Sequence, residues 1–507
     1  MPISFSHIPA NWKQPLYWVE VDSSKAGLPV ATTRSLVVGI QLTTPLSTAA
    51  VNVPIPIASQ AAADNAFGQG SHLANMFKAY LANNWANEVW GLPVAEGSNA
   101  ATGTITVLTA ATAAGTIDLY IGGANVPVAV AASDTTTTIA TAISAAINLN
   151  KDLPVTSTPS GAIVTVTCKF KGTVGNDILM SDNYYGALGG ENMPGGVTIS
   201  YVQLSGGAGD PSFATAISNL GEQEFEYVAF PFTDSTSLLA WETQFGFSDT
   251  GRWGFIRQLF GHIFSAKRDT YANLLAFGQT RNCPQLSVLG VEATSPTPVY
   301  EWCAAYTAKA SRALSNDPAR PLQTLLLEGI LPAKGQSRFL LSELNALSTS
   351  GIATQRTPGG NNVPMIARET TTYVRNLYGN SDDAYEVVTT LATLAKILRN
   401  QRQAITSKFP RHKLADDGTR FGAGQAIVTP KIIKAELVAQ YRVDEFNGLV
   451  ENGKAFKDNL IVERDPNDVN RINVLYPPDL VNQLRIFAVL AQFRLQFNRG
   501  VDTVIAA

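Results

Sequence analysis

Residues that could perform catalysis or bind a metal are few and widely spaced in this sequence. The four histidines and three cysteines are His7, His72, His262, His412, Cys168, Cys283 and Cys303. Zinc sites need ligands paired at short spacing, and disulfide frameworks need a denser set of cysteines. We therefore expect no metal, no cofactor and no disulfide framework. Three scattered thiols also fit a reducing compartment.

Two further stretches could suggest an enzyme. GGAGD at 206–210 could be taken for a phosphate-binding loop, but it lacks the strand-to-helix context and the downstream Lys-Ser/Thr. A turn between domains is the better interpretation. His262 and Ser265 could join an aspartate, because catalytic triads assemble in space. Nothing else in the sequence supports a triad, so the sequence favours a protein that is not an enzyme.

A cluster of basic residues is the local feature with the clearest possible use in binding. The sequence predicts a long helix over 385–409, and the cluster lies on its C-terminal half and just beyond. Its members are Lys396, Arg399, Arg402, Lys408, Arg411, His412 and Lys413. One interpretation is a solvated helix face. The other is an electrostatic contact with an acidic partner, which sets orientation more than affinity.

The composition describes a large globular chain whose surface is poor in charge. It has 507 residues, of which 45% are hydrophobic and only 15% charged. That length suits two to four domains, and the apolar fraction excludes wholesale disorder. So few charges suggest a surface largely covered within an assembly. The net charge of −3 gives no reason to expect nucleic acid or an anionic membrane.

No segment of the sequence is typical of export or membrane insertion. The first 18 residues lack the basic region and apolar core of a signal peptide, and no apolar run is long enough to span a bilayer. We therefore expect the protein to be made and assembled in cytoplasm.

Most of the chain has an α/β pattern with one abrupt interruption. Buried strands and amphipathic helices alternate over 34–95 and again from 206, which predicts a parallel or mixed sheet covered on both faces. Residues 96–205 contain only ten charged residues but seventeen Thr and sixteen Ala. Their Gly- and Pro-punctuated runs predict a β-rich module inserted in a loop, on the outside of the molecule.

Both ends of the chain contain strand patterns without a local partner. Residues 485–497 (RIFAVLAQFRLQF) alternate so that one side carries only apolar residues. Residues 17–21 form a second isolated pattern, with Tyr17, Val19 and Val21 on one side. Backbone groups of a buried strand need hydrogen-bond partners. Each end is either an edge strand of its own domain or docks on another subunit.

Three segments resemble contractile tail sheath proteins of bacteriophages, in particular the Mu-like family. They are 3–24 (ISFSHIP…PLYWVEVDSS), 206–232 (GGAGDPSFATAISNL…YVAFPF) and 453–497 (GKAFKDNLIVERDPNDVNRINVLYPPDLVNQLRIFAVLAQFRLQF). The last segment is the most specific. The 96–205 module is the part in which such proteins differ.

The resemblance implies a multidomain α/β (mixed α+β) fold. An inner α+β domain would be built from both chain ends, with a central subtilisin-like α/β domain and an inserted β-rich outer domain. The expected divisions are an N-terminal arm (1–26), the first part of the core (27–95), the inserted domain (96–205), the central domain (206–383), the C-terminal inner domain (384–482) and a C-terminal arm (483–507). A subtilisin-like topology does not by itself imply protease activity.

The resemblance also implies a function and partners. The subunit would form stacked hexameric rings around a tail tube protein, contact baseplate and terminator proteins, and contract to drive the tube through the host envelope. The residues expected to link subunits are Tyr17, Val19, Val21, Phe487, Val489, Phe493 and Leu495. Arg399, Arg402 and Lys408 are weaker candidates for contact with the tube. The alternatives are another viral structural protein or adhesin with β-rich decoration and, third, an α/β enzyme.

Overall fold

The computed structural model describes residues 33–43, 45–359, 362–493 and 495. Its first elements are β1 (Arg34–Ile40), β2 (Ile55–Pro56), α1 (Gln60–Phe67), α2 (His72–Asn83) and β3 (Glu88–Val94). The Ser71 hydroxyl caps α2 by accepting the backbone N–H of Ala74, as expected for serine before a helix. Strand β1 is almost wholly buried, which matches its continuous apolar sequence.

The region 96–205 forms two antiparallel sheets and one α-helix. Its elements are β4 (Ala100–Thr109), β5 (Gly115–Ile121), β6 (Ala124–Val130), α3 (Thr136–Leu149), β7 (Val155–Ser160), β8 (Ile163–Lys171), β9 (Met180–Asp182) and β10 (Thr198–Ser205). The strand orders are β10-β4-β8-β7 and β6-β5-β9. Ile139, Ile143 and Ile147 are buried on one face of α3, as their spacing of four predicts.

The next region completes a six-stranded sheet. Its elements are α4 (Ala214–Asn219), β11 (Tyr227–Ala229), α5 (Ser235–Phe245), β12 (His262–Asp269), α6 (Tyr271–Gln279), β13 (Leu286–Glu292), α7 (Val299–Asn316), α8 (Leu341–Thr349), β14 (Thr354–Arg356) and β15 (Met365–Arg368). The sheet order is β13-β12-β11-β1-β3-β2, and every pairing in it is parallel except that of β2 with β3. The chain therefore has the mixed α/β architecture that the sequence predicts.

The C-terminal region is mainly helical. It contains α9 (Val388–Lys408), β16 (Lys413–Leu414), β17 (Ile427–Val428), α10 (Pro430–Phe446), α11 (Gly453–Asn459), β18 (Ile461–Arg464) and β19 (Ile472–Leu475). Its residues form a separate small core around Ile433, Leu437 and Tyr441. Among the described residues, no helix is both long enough and apolar enough to cross a membrane.

The 96–205 module shares the main core instead of standing apart from it. Phe170 of β8 is fully buried, and its ring lies 5.5 Å from that of His72 and 6.4 Å from that of Tyr300. The guanidinium of Arg268 also bonds to the module, at the backbone and side chain of Asp177. The predicted outward module is therefore tied to the α/β core by buried apolar contacts.

The C-terminal strand predicted over 485–497 is absent from the described part of the chain. Residues 481–493 form no strand there. A strand exists only where a second strand accepts its hydrogen bonds, and no described strand of the same chain pairs with residues 485–493. The N-terminal pattern, with Tyr17, Val19 and Val21, lies outside the described residues.

Candidate functional site: an assembly surface

The hairpin of β18 and β19 has two edges without partners among the described strands. The two strands pair antiparallel, with Ile461 opposite Leu475 and Arg464 opposite Ile472. Ile461, Val474 and Leu475 are exposed. Unpaired edges of this kind are templates for another strand, and a lone two-stranded hairpin is only marginally stable in water.

The hairpin is nevertheless packed on helices α10 and α11. The ring of Phe456 stacks on Tyr441 at 3.7 Å, with the planes 6° apart, and Tyr476 packs on Phe456 at 5.0 Å. Lys434 donates its Nζ proton to the carbonyl of Leu460, 2.6 Å away. These contacts fix where the free edges lie relative to the rest of the subunit.

An apolar groove of about 660 Å³ runs beside this hairpin. One wall is formed by α9 and α10, another by β19, and the floor by a loop of the central region. Its main apolar lining residues are Phe260, Leu398, Ile405, Leu437, Ile472 and Val474. A side chain projecting from a strand added next to the hairpin would be chemically suited to such a groove.

The C-terminal segment presents apolar side chains to solvent. Phe487, Val489, Phe493 and Leu495, which the sequence predicts to link subunits, are between 69% and 96% exposed. Ile486 and Leu490, on the alternate side, are also exposed. Contiguous exposed apolar residues of this kind mark interaction sites in soluble proteins.

The basic residues of α9 differ in their surroundings. Arg399 bonds to Glu224 at 2.6 Å and to the carbonyl of Phe260 at 3.1 Å, and its Nη2 lies 3.6 Å from Glu226. Lys408 pairs with Glu436 at 2.5 Å. Arg402 is exposed, lines the apolar groove, and has no carboxylate partner among the described residues.

Arg399 therefore joins α9 to the central region. Spacing in the sequence could not reveal this contact, because Glu224 lies 175 positions earlier in the chain. The side chain of Arg399 is about one-quarter exposed. Of the three candidate tube-contact residues, Arg402 is the one whose charge is least engaged within its own subunit.

The carboxyl group of Glu226 has an unusual protonation equilibrium. Burial raises its pKa to about 7, although the charge of Arg399 and the backbone N–H of Arg34 both lower it. The ordinary pKa of this group is 4.5. Between those values the folded chain binds the proton more tightly than the unfolded chain. The contribution of Glu226 to stability is therefore complete below pH 4.5 and is lost as the pH rises towards 7.

We expect Glu226→Gln to remove this component of the pH dependence. Its unfolding free energy should decline less between pH 4.5 and 7 than that of the unmodified protein, by up to about 1.4 kcal/mol per pH unit. Denaturant unfolding at several pH values measures the difference. Glu222→Gln, an exposed carboxylate on the same segment, is the matched control. Equal slopes for Glu226→Gln and the unmodified protein would contradict the assignment.

The residues considered for catalysis are not brought together. His262 and Ser265 lie three positions apart on β12, so their side chains point to opposite faces of the sheet. Burial lowers the pKa of His72 and of His262 to about 3, which keeps both neutral. Nδ1 of His72 accepts the backbone N–H of Ile40. His412 packs against Phe409 at the surface, and His7 lies outside the described residues.

Two family models match the chain. Residues 206–372 match the phage tail sheath protein central domain, and residues 380–494 match the phage tail sheath C-terminal domain. The chain is also 40% identical over 499 residues to the Mu-like prophage FluMu tail sheath protein of Haemophilus influenzae. That alignment covers 98% of this chain and 100% of the relative.

Similar solved structures include two further sheath proteins. The sheath tail protein of Desulfitobacterium hafniense aligns with a TM-score of 0.49 and 11% identity, covering 93% of this chain and 97% of that one. The sheath tail protein of Listeria innocua aligns with a TM-score of 0.47 and 12% identity, covering 89% and 92%.

The sequence matches define first a class, the structural proteins of phage tails, which are parts of the virion. Within that class the chain belongs to the phage tail sheath family, and its full-length relative is of the Mu-like type. This family is a structural one and is not known to be enzymatic.

Proposed function

We propose that the chain polymerises helically around the tail tube and contracts to drive the tube through the host envelope during genome delivery. The observation that carries the proposal is the presence, in one chain, of a hairpin with free edges and a C-terminal segment with exposed apolar residues. A donor segment and an acceptor hairpin that do not meet in the described part of one subunit can meet between subunits. Such a head-to-tail contact generates a filament instead of a closed pair.

The link between subunits is strand addition. The segment bearing Phe487, Val489 and Phe493 pairs with a free edge of the β18–β19 hairpin of another copy, and its apolar side chains cover the adjacent groove. Burial contributes roughly 1.5–3 kcal/mol for each large apolar side chain. Backbone hydrogen bonds add affinity and fix the register. The N-terminal arm, with Tyr17, Val19 and Val21, acts as a second linker of the same kind.

The domain roles follow the same scheme. Residues 384–482, with contributions from both ends, form the inner domain facing the tube, and residues 27–95 with 206–383 form the central domain. Residues 96–205 face outwards.

The partners are further copies in stacked hexameric rings, the tail tube protein, and baseplate and terminator proteins, and assembly takes place in the host cytoplasm. Contraction repacks interfaces while the strand links persist, so that stored packing energy does the mechanical work.

Electron microscopy of the purified, overexpressed protein tests this function. We expect long hollow tubes, because the strand links need no other protein to propagate. The sample should be examined over a range of protein concentration, since polymerisation depends on it. Closed shells would favour another kind of viral structural protein. Monomers at every concentration would contradict self-assembly.

A further inference from the structure

The residues just before the exposed C-terminal segment hold it to its own subunit. We call residues 479–485 the tail strap. Its first half is bonded to the C-terminal region: the N–H of Glu451 donates to the carbonyl of Asp479 at 2.9 Å, and the N–H of Val481 donates to the carbonyl of Leu449 at 3.3 Å. The hydroxyl of Tyr441 also accepts the N–H of Asp479 at 3.2 Å.

The second half of the tail strap is bonded to the central region. Arg485 donates two hydrogen bonds to the carboxylate of Glu369, at 3.0 and 2.5 Å. The side chain of Glu369 is completely buried, and it also accepts the N–H of Leu322 at 3.2 Å. Gln483 donates to the carbonyl of Ala319 at 2.5 Å. The tail strap thus crosses from one region to the other and ends at a buried ion pair.

Exposure changes abruptly at this ion pair. The side chain of Arg485 is 13% exposed, whereas Ile486 and Phe487, the next two residues, are 79% and 83% exposed. A two-point guanidinium–carboxylate pair fixes direction as well as position. Buried ion pairs contribute little net stability but can specify one arrangement over others. Glu369 and Arg485 therefore define where the exposed C-terminal segment begins.

We propose that the Arg485–Glu369 ion pair is a fixed exit point that limits how far the C-terminal segment can reach towards a second copy of this chain. This inference rests on the proposed strand link. The twelve residues 486–497 span at most about 40 Å when extended. Release of the seven-residue tail strap would add roughly 23 Å. With the ion pair intact, copies are linked at one spacing; without it, they are linked at many.

The double variant Glu369→Gln/Arg485→Gln tests this, because it removes both charges without leaving a buried one unpaired. We expect it to unfold within a few degrees of the unmodified protein. Amide hydrogen exchange in the tail strap should become at least tenfold faster. Tubes should still form, but their helical spacing should vary. This variation broadens the layer lines in the Fourier transforms of electron micrographs. Arg485→Lys retains the charge but loses the two-point geometry, so amide exchange in the tail strap should be intermediate. If the double variant does not fold, the exchange rate of Arg485→Lys tests the proposal in its place.

Glu242→Gln/Arg281→Gln is the matched control, because that ion pair is similarly buried but lies in the central region away from the tail strap. It should leave the exchange of the tail strap and the order of the tubes unchanged. Unchanged exchange in the Glu369/Arg485 variants would overturn the proposal. So would regular tubes despite fast exchange, or complete loss of tubes by a folded double variant whose C-terminal segment is intact. Normal tubes from a chain ending at Arg485 would instead refute the strand link itself.

Discussion

A chain ending at Arg485 should remain a folded, soluble subunit and form no tubes. This truncation removes the exposed residues Phe487, Val489, Phe493 and Leu495 and leaves the hairpin, the groove and the Glu369 ion pair in place. Removing four apolar side chains from an interface weakens each link by on the order of 5 kcal/mol or more. That corresponds to a loss of more than a thousandfold in association constant. Sedimentation and electron microscopy at matched concentration measure the effect.

The position of the truncation matters. Ending the chain at Asn482 would also remove Arg485, leaving the buried carboxylate of Glu369 without its cationic partner. An unpaired buried charge is strongly destabilising, so loss of tubes from that shorter chain could reflect misfolding. Thermal unfolding of the chain ending at Arg485 should match that of the full chain. Tubes of normal length from this truncation would disprove the strand link.

Added to full-length subunits, the same truncated chain should act as a terminator. It retains the β18–β19 hairpin and can accept a C-terminal segment from a neighbour, but it has no C-terminal segment to supply. Small fractions should therefore shorten the tubes, as a chain stopper does in any linear polymer. An unrelated effect on solubility would not produce shortening in proportion to the fraction added.

The sequence predicts those parts of the fold that are determined by local periodicity. The long basic helix expected at 385–409 is found as Val388–Lys408. The strand His262–Asp269 is not predicted, because Lys267, Arg268 and Asp269 give its second half a polar pattern. Arg268 forms an ion pair with Asp177 of the 96–205 module. No local sequence pattern specifies that contact.

In the candidate site, too, the sequence predicts local features but not contacts between distant residues. The apolar character of Phe487 and Val489 is visible in the sequence, and the structure describes both as exposed. Whether they form a strand depends on a partner outside the chain, so neither the sequence nor a single subunit specifies it. The contacts of Arg399 with Glu224 and of Arg485 with Glu369 join residues more than a hundred positions apart. Such pairs are fixed by the tertiary fold, and the residue types alone do not reveal them.

Charge reversal at Arg399 and at Arg402 should have different consequences. Arg399→Glu would place a third carboxylate beside Glu224 and Glu226 and remove the bond to the carbonyl of Phe260. We expect a loss of about 2–4 kcal/mol in the stability of the subunit, since breaking a partly buried pair costs less than breaking a fully buried one. Thermal or denaturant unfolding of the monomer detects this without any tube present.

Arg402→Glu should instead leave the monomer stable and weaken its assembly on the tube. Arg402 is exposed and has no described carboxylate partner, so reversing its charge breaks no bond within the subunit. If the basic face of α9 meets an acidic tube surface, co-assembly should weaken at low salt, and the difference from the unmodified protein should diminish as salt screens the contact. Because Arg402 also lines the apolar groove, self-assembly without the tube is measured in parallel, and the loss of co-assembly on the tube should exceed any loss of self-assembly.

Arg356→Glu, an exposed arginine on β14 away from α9, is the matched control and should not alter co-assembly. Equal binding of Arg402→Glu and Arg356→Glu to the tube at low salt would mean that the basic face is merely solvated. Because Arg399 already has partners within its own subunit, only the Arg402 result bears cleanly on the tube. A loss of tube binding by Arg399→Glu alone would be explained by the weakened junction between α9 and the central region.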